Sequence, residues 1–153
     1  MSFGGVVLLI REAELLDFPA ICELMRNELG YPDLDEEEGI KRLNYFKSSD
    51  DWETFVALVD DEVAGFIGVM KNLAYNIEGY YSQIMALAVS VKARRCGVGT
   101  ALVKRAEEWS LSCGITSVGL SSNMRRLDAH AFYEGLGYTK KSFSFTKALG
   151  ADL

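Results

Sequence analysis

The stretch Ile84-Met85-Ala86-Leu87-Ala88-Val89-Ser90-Val91-Lys92-Ala93-Arg94-Arg95-Cys96-Gly97-Val98-Gly99-Thr100 decides how this chain is read. Its first eight residues are almost continuously apolar, the pattern of a strand buried on both faces near the centre of a sheet. A turn with two glycines follows, and Val98, Leu102, Ala106, Trp109 and Cys113 then recur at helical spacing until Gly114 stops the helix. Such a junction builds an anion site. Glycine lets the backbone approach a ligand closely, and the unpaired N–H groups of a first helical turn point at it. Successive N–H groups in the turn form a concavity suited to phosphate oxygens, and Arg94 and Arg95 add charge and forked donors beside it.

Working outward, Val6–Ile10 reads as a first strand. Asp17 is placed to cap a helix carrying Phe18, Ile21, Cys22, Met25 and Leu29 on one face, with Pro19 tolerated in its first turn and Gly30 at its end. Asp35 with Glu38 three residues on resembles a capping box opening a second helix, with Ile40, Leu43 and Phe46 inward. Thr54–Val59 and Val63–Met70 read as a hairpin, and the central strand begins at Tyr80. Beyond the glycine turn come a short strand at Ser117–Ser122, a helix over Leu127–Leu136 closed by Gly137, and last strands at Tyr138 and Ser142–Leu149. The expected architecture is one α/β domain spanning residues 1–153.

Composition bounds what such a domain does. The chain has 153 residues, 49% hydrophobic and 25% charged, so it can bury a full core without disulfides or metal. Its net charge of −6 is the wrong sign for a general nucleic-acid binder. Three cysteines and one histidine, His130, offer neither a disulfide framework nor a metal-ligand spacing, and no metal is expected. The apolar run at Val6–Ile10 is too short for a signal segment or a membrane span, so a cytoplasmic protein is expected. Charge is uneven. Residues 1–76 hold 16 acids and 6 bases, whereas residues 77–153 hold 6 acids and 10 bases. The acidic half suits a cationic partner and the basic half an anionic one.

The anion is narrowed by what the loop lacks. Leu102 stands where a dinucleotide fingerprint has its third glycine, and Ser121 and Ser122 stand where an acid would hold a ribose. No Gly-x4-Gly-Lys-Ser/Thr run occurs. A nucleotide-binding module is therefore the weaker reading.

What remains, Arg94-Arg95-Cys96-Gly97-Val98-Gly99, resembles the phosphate loop of the GNAT acetyltransferase superfamily, Gln/Arg-x-x-Gly-x-Gly/Ala. A second block, Ala129-His130-Ala131-Phe132-Tyr133-Glu134-Gly135-Leu136-Gly137-Tyr138, is similar to that superfamily's Ala-x-x-Phe-Tyr-Glu-x-x-Gly-Phe/Tyr ending. The order of elements matches along nearly the whole chain. The resemblance implies a GNAT fold, a central mixed twisted sheet of six to seven strands flanked by about four helices. It also implies an acetyl-CoA-dependent N-acetyltransferase moving an acetyl group directly to a primary amine of a small molecule or peptide. A catalytically silent acyl-CoA-binding domain is the alternative.

Carried over residue by residue, the resemblance implies that Leu87, Ala88 and Val89 offer backbone groups to pantetheine. It gives the pyrophosphate to Arg94, Arg95, Cys96, Gly97, Val98, Gly99 and Thr100. A bulge near Met85–Leu87 would splay the central strand from its neighbour and open a slot for the thioester. Val89 is the candidate oxyanion donor, because a donor already aimed at developing charge needs no reorganisation. Tyr133 matches the family's acid, and a phenol with pKa of about 10 stays protonated at neutral pH. Glu78, just before the central strand, is the candidate base, with Glu28 near the first helix end as a second. Where many members carry Asn seven residues before the tyrosine, this chain has Arg126, so Asn123 and Arg126 are kept as coenzyme contacts. The acids after Tyr31-Pro32 suit a cationic acceptor, and a homodimer through the last strands is expected.

Overall fold

The computed structural model describes residues 2–3, 6–122 and 124–150. The elements run β1 (Ser2–Phe3), β2 (Val6–Glu12), α1 (Phe18–Glu28), α2 (Glu36–Ser48), β3 (Trp52–Val59), β4 (Glu62–Leu73), β5 (Tyr80–Val89), α3 (Val98–Ser112), β6 (Val118–Leu120) and α4 (Leu127–Gly135). Six strands pair in chain order, β1 to β6. The pairings from β1 to β5 are antiparallel, and β6 joins β5 in parallel, which makes the sheet mixed. Two compact units are present, Met1–Leu120 and Ser121–Leu153.

In the first unit the strand alternation sorts side chains to two faces of the sheet. Phe66, Val56 and Ala88 join Phe18, Ile21, Cys22 and Leu24 of α1 and Leu43 of α2 in one core. Gly65 faces the other way, toward Val98 and Leu102 of α3. Arg105 of α3 lies 4.4 Å over the Phe55 ring on that face, where its cation is held by the ring quadrupole. The sheet is thus layered between α1 and α2 on one side and α3 on the other. The turn between β3 and β4 is two residues, Asp60 and Asp61, both left-handed at φ 49° and 68°, the conformation that lets a tight hairpin follow the strands' own twist.

Capping follows the sequence at one helix and departs from it at the other. The Asp35 carboxylate accepts the Glu38 N–H at 3.0 Å, and Glu36, Glu37 and Glu38 fill the positive end of α2. Asp17 precedes α1 but makes no side-chain bond to it. Its oxygens are taken by the Arg11 guanidinium, at 2.7 and 3.1 Å, and by the Glu14 N–H at 2.7 Å. The two-pronged Arg11 donor and the Glu14 N–H together hold the carboxylate away from the N–H groups of the first turn of α1.

The expected strands at Tyr138 and Ser142–Leu149 do not form: residues 138–149 carry neither strand nor helix. The alternation Ser142-Phe143-Ser144-Phe145 supplies a face, but a strand exists only through a hydrogen-bonded neighbour. Phe143 and Phe145 are 78% and 94% exposed. The central apolar run also stops sooner than its composition suggests, since Val91 sits in a 3-10 turn, Val91–Ala93, and is exposed.

Burial by itself would raise the Asp17 carboxyl; the bonds from Arg11 and the Glu14 N–H, with Lys47 nearby, outweigh it and hold the group below the usual range. A carboxylate so lowered stabilises the fold above its unfolded value of about 3.9, and that stability is lost as pH falls through the lower folded value. Urea midpoints of the wild type should therefore drop on acidification below about pH 4, and Asp17→Asn should show a shallower drop from a lower starting midpoint.

Candidate active site

β5 carries the feature that shapes the site. Its register with β4 runs Gly68 to Ala86 and then Val69 to Ile84, so Met85 is an extra residue with no partner, a β-bulge. The bulge falls within Met85–Leu87, the stretch that the family resemblance implied. It changes which edge each backbone group faces. Before it, Ser82 N–H donates toward β6, to Ser117 O at 2.9 Å; after it, Ser90 N–H donates toward β4, to Ala64 O at 2.8 Å. Alternation then turns the backbone of Ala86 and Ala88 to β4, and that of Leu87 and Val89 to the opposite edge. Pairing with β6 covers only Ser82, Gln83 and Ile84. Among the described residues no strand other than β4 pairs with β5 beyond that point, so the Leu87 and Val89 groups face an open edge. Ala88 instead is buried in the core with Phe66.

The open edge leads into the glycine turn. Gly97, at φ 77°, is left-handed, a conformation that costs an L side chain about 1–2 kcal/mol. Arg95 is left-handed too, at φ 64°. The first α3 bond closes from Ala101 N–H to the Gly97 carbonyl at 3.0 Å, so the N–H groups of Val98, Gly99 and Thr100 lie ahead of the helical ladder. Val98 is buried and anchors the turn, while Gly99, Thr100 and Cys96 are partly exposed and Arg94 and Arg95 exposed. The free N–H donors and the positive helix end, with Arg94 and Arg95 just before them in the chain, are a set that fits a diphosphate.

Close packing fixes the turn to the sheet. A Cβ on Gly65 would come within 2.9 Å of the Ala88 carbonyl, 3.2 Å of Leu102 and 3.3 Å of Val98. Only a residue without a side chain lets β4, β5 and the start of α3 meet there. Farther along, Ser82 and Ser110 hydroxyls are 2.6 Å apart, fully buried, and Ser110 Oγ lies 2.9 Å from the Ala106 carbonyl.

Glu78 lies on the turn between β4 and β5, exposed, seven residues before the bulge and at the opposite end of β5 from the glycine turn. Glu28 is engaged: its Oε1 accepts from Arg94 Nη2 at 2.8 Å, and its side chain is only 12% exposed. That ion pair had no signal in the sequence, because 66 residues separate its members.

In the second unit, Tyr133 lies on α4, half-buried between Phe132 and Tyr138, with ring centroids 5.2 and 6.0 Å away and both contacts edge-on. Burial pushes its phenol above the ordinary range, and Arg126 opposes the rise. Arg126 is exposed at the start of α4, where its carbonyl accepts the His130 N–H. Asn123 lies outside the described residues. Among the described residues no helix is long and apolar enough to cross a membrane, and no group of three or more His, Cys, Asp and Glu side chains is placed to hold a metal ion.

Comparison with known proteins places this geometry. The model of the acetyltransferase (GNAT) family matches residues 18–138. An aminoalkylphosphonate N-acetyltransferase of Salmonella typhimurium is 32% identical over 135 residues, covering 86% of this chain and 82% of the relative. A GNAT family acetyltransferase structure from Staphylococcus aureus superposes with a TM-score of 0.77 at 26% identity, over 93% of this chain and 98% of that one. The fold is shared with an aminoglycoside N-acetyltransferase solved in complex with CoA, at a TM-score of 0.84 and 14% identity, over 95% of this chain and 97% of that one. The chain belongs to the GNAT family of acetyltransferases and has its α/β fold.

Replacing Gly65 with alanine forces a backbone carbonyl to move and should lower stability by about 1–3 kcal/mol, read as a reduced urea midpoint at unchanged slope.

Proposed function

We propose that this acetyltransferase takes its acetyl group from acetyl-CoA and delivers it, in one ternary complex, to a primary amine of a small molecule or peptide. The observation that carries the reading is the bulge at Met85, which leaves Leu87 and Val89 backbone groups on an open edge that runs into the glycine turn. A pantetheine arm is an extended chain of amides, and such an edge pairs with it as another strand would. Arg94, Arg95 and the N–H groups from Cys96 to Thr100 hold the diphosphate, with Asn123 and Arg126 assigned to the remainder of the coenzyme.

Bound acetyl-CoA supplies an acetyl thioester. In this reading the Val89 N–H donates to the thioester oxygen as negative charge develops there. The amine nitrogen forms its bond to the carbonyl carbon while the carbon–sulfur bond breaks. Tyr133 donates its proton to the departing sulfur, and the raised phenol keeps that proton available at neutral pH. The ammonium proton of the acceptor leaves through water to Glu78. Exposed carboxylates at Asp33, Asp35, Glu36, Glu37 and Glu38 favour an acceptor with positive charge, and the acceptors named for relatives are likewise amine compounds.

Thiol release from acetyl-CoA across a panel of polyamines, aminoglycosides, aminoalkylphosphonates and lysine peptides tests the reaction. The protein's own cysteines must be blocked first, since Cys113 is exposed. Release that depends on one amine class is expected; none with any amine overturns the reading. Tyr133→Phe should lower kcat about 10²–10⁴-fold with the calorimetric affinity for CoA within a factor of two. Wild-type kcat should fall at high pH only above the ordinary phenol value of about 10, because the acid works protonated and its titration is displaced upward. For Glu78→Gln, a fall in kcat with CoA affinity retained is the result that assigns the base.

A further inference from the structure

We infer that Glu28 is a positioning residue for the coenzyme, acting through Arg94 and tying the end of α1 to the glycine turn. The inference rests on the diphosphate lodging at that turn, and goes beyond it in naming what orients the turn's first arginine.

Glu28 closes α1, where the helix presents its negative end, so a carboxylate there gains nothing from its own helix. Its side chain is 12% exposed, and a carboxylate so far removed from water requires a cation or hydrogen-bond donor. Among the described residues, the hydrogen bond and ion pair it makes are with Arg94, Nη2 to Oε1 at 2.8 Å. The neighbouring cation on α1, Arg26, is turned elsewhere, to the Leu34 carbonyl at 3.5 Å and Glu36 at 3.7 Å.

Arg94 is held differently. Its side chain is 56% exposed, and one donor of its five is engaged, so the remaining edge of the guanidinium is free to meet a second anion. An exposed arginine without a partner samples many rotamers and must surrender that freedom on binding; fixed in advance by a buried carboxylate, it surrenders less. α1 also packs over Phe66 and Ala88, behind the open edge of β5, through Phe18, Ile21 and Cys22. The Glu28 contact therefore joins the helix lying over the pantetheine edge to the turn holding the diphosphate.

The test is a double-mutant cycle read by CoA calorimetry and by acetyl-CoA kinetics, using Glu28→Ala, Arg94→Ala and the pair, with thermal melting of each. Glu28→Ala should weaken CoA binding and raise the acetyl-CoA KM about 3–10-fold while kcat stays within a factor of two, the cost of one charge-assisted contact. In the Arg94→Ala background the same change should leave KM and affinity unmoved. Glu28→Gln, which keeps an oxygen acceptor of the same shape, should recover most of the loss and guards against failure to fold. Equal loss in both backgrounds, or a lowered melting temperature with unchanged KM, overturns the inference. Absence of CoA binding to the wild type overturns the proposed function itself, and this inference with it.

Discussion

One unpaired residue in β5 governs the rest of this structure. A regular strand would present the same alternate backbone groups to each neighbour along its whole length, and β6 would continue to pair with it. Met85 breaks that phase. Before it, β5 is an ordinary inner strand; after it, the groups of Leu87 and Val89 lie on an edge that β6 no longer covers. Exposed edges invite unwanted pairing and are rarely left free without a use. Here the expected burial on both faces is only partial, since Ala88 is buried while Ala86, Leu87 and Val89 are half-buried, but the stretch is bonded along its whole β4 edge and so is held firm where it is open.

That rigidity is inherited from both layers. Ala88 is locked into the core under α1, and Gly65 brings β4 against the start of α3 at a separation no side chain would allow. The glycine turn leaves β5 and enters α3 between these two fixed bodies. Its donors are aimed before any ligand arrives, the condition under which electrostatic contacts act without reorganisation. Pre-organisation costs local strain, visible in the left-handed backbone at Arg95.

The parts of this arrangement that local sequence records were legible. The apolar run, the two glycines, the helical periodicity after Val98 and the cap at Asp35 all follow from neighbours within a few residues, whereas the bulge was implied by the family resemblance alone. What was misread depends on distant partners. Asp17 looked like a cap for α1 because its position is right, but Arg11, across a turn, claims the carboxylate. Residues 142–149 alternate like a strand, yet alternation specifies a face and says nothing of the neighbour that would complete a ladder. The ion pair of Glu28 with Arg94 is likewise hidden from any spacing rule, since 66 positions separate the two. That Ala88 faces β4 while Leu87 and Val89 face the other edge came only from the backbone direction after the bulge.

The buried hydroxyl pair of Ser82 and Ser110 has a bearing on how this scaffold tolerates change. With Val98 and Leu102 seated by Gly65 at one end and Ser110 held against β5 at the other, α3 is clamped to the sheet at two points about three turns apart. Lengthening or shortening the segment between them by a single residue would rotate one clamp off its seat. Insertions should accumulate instead in the turn before Tyr80 or the joint after Gly30, where a change of length leaves both clamps seated.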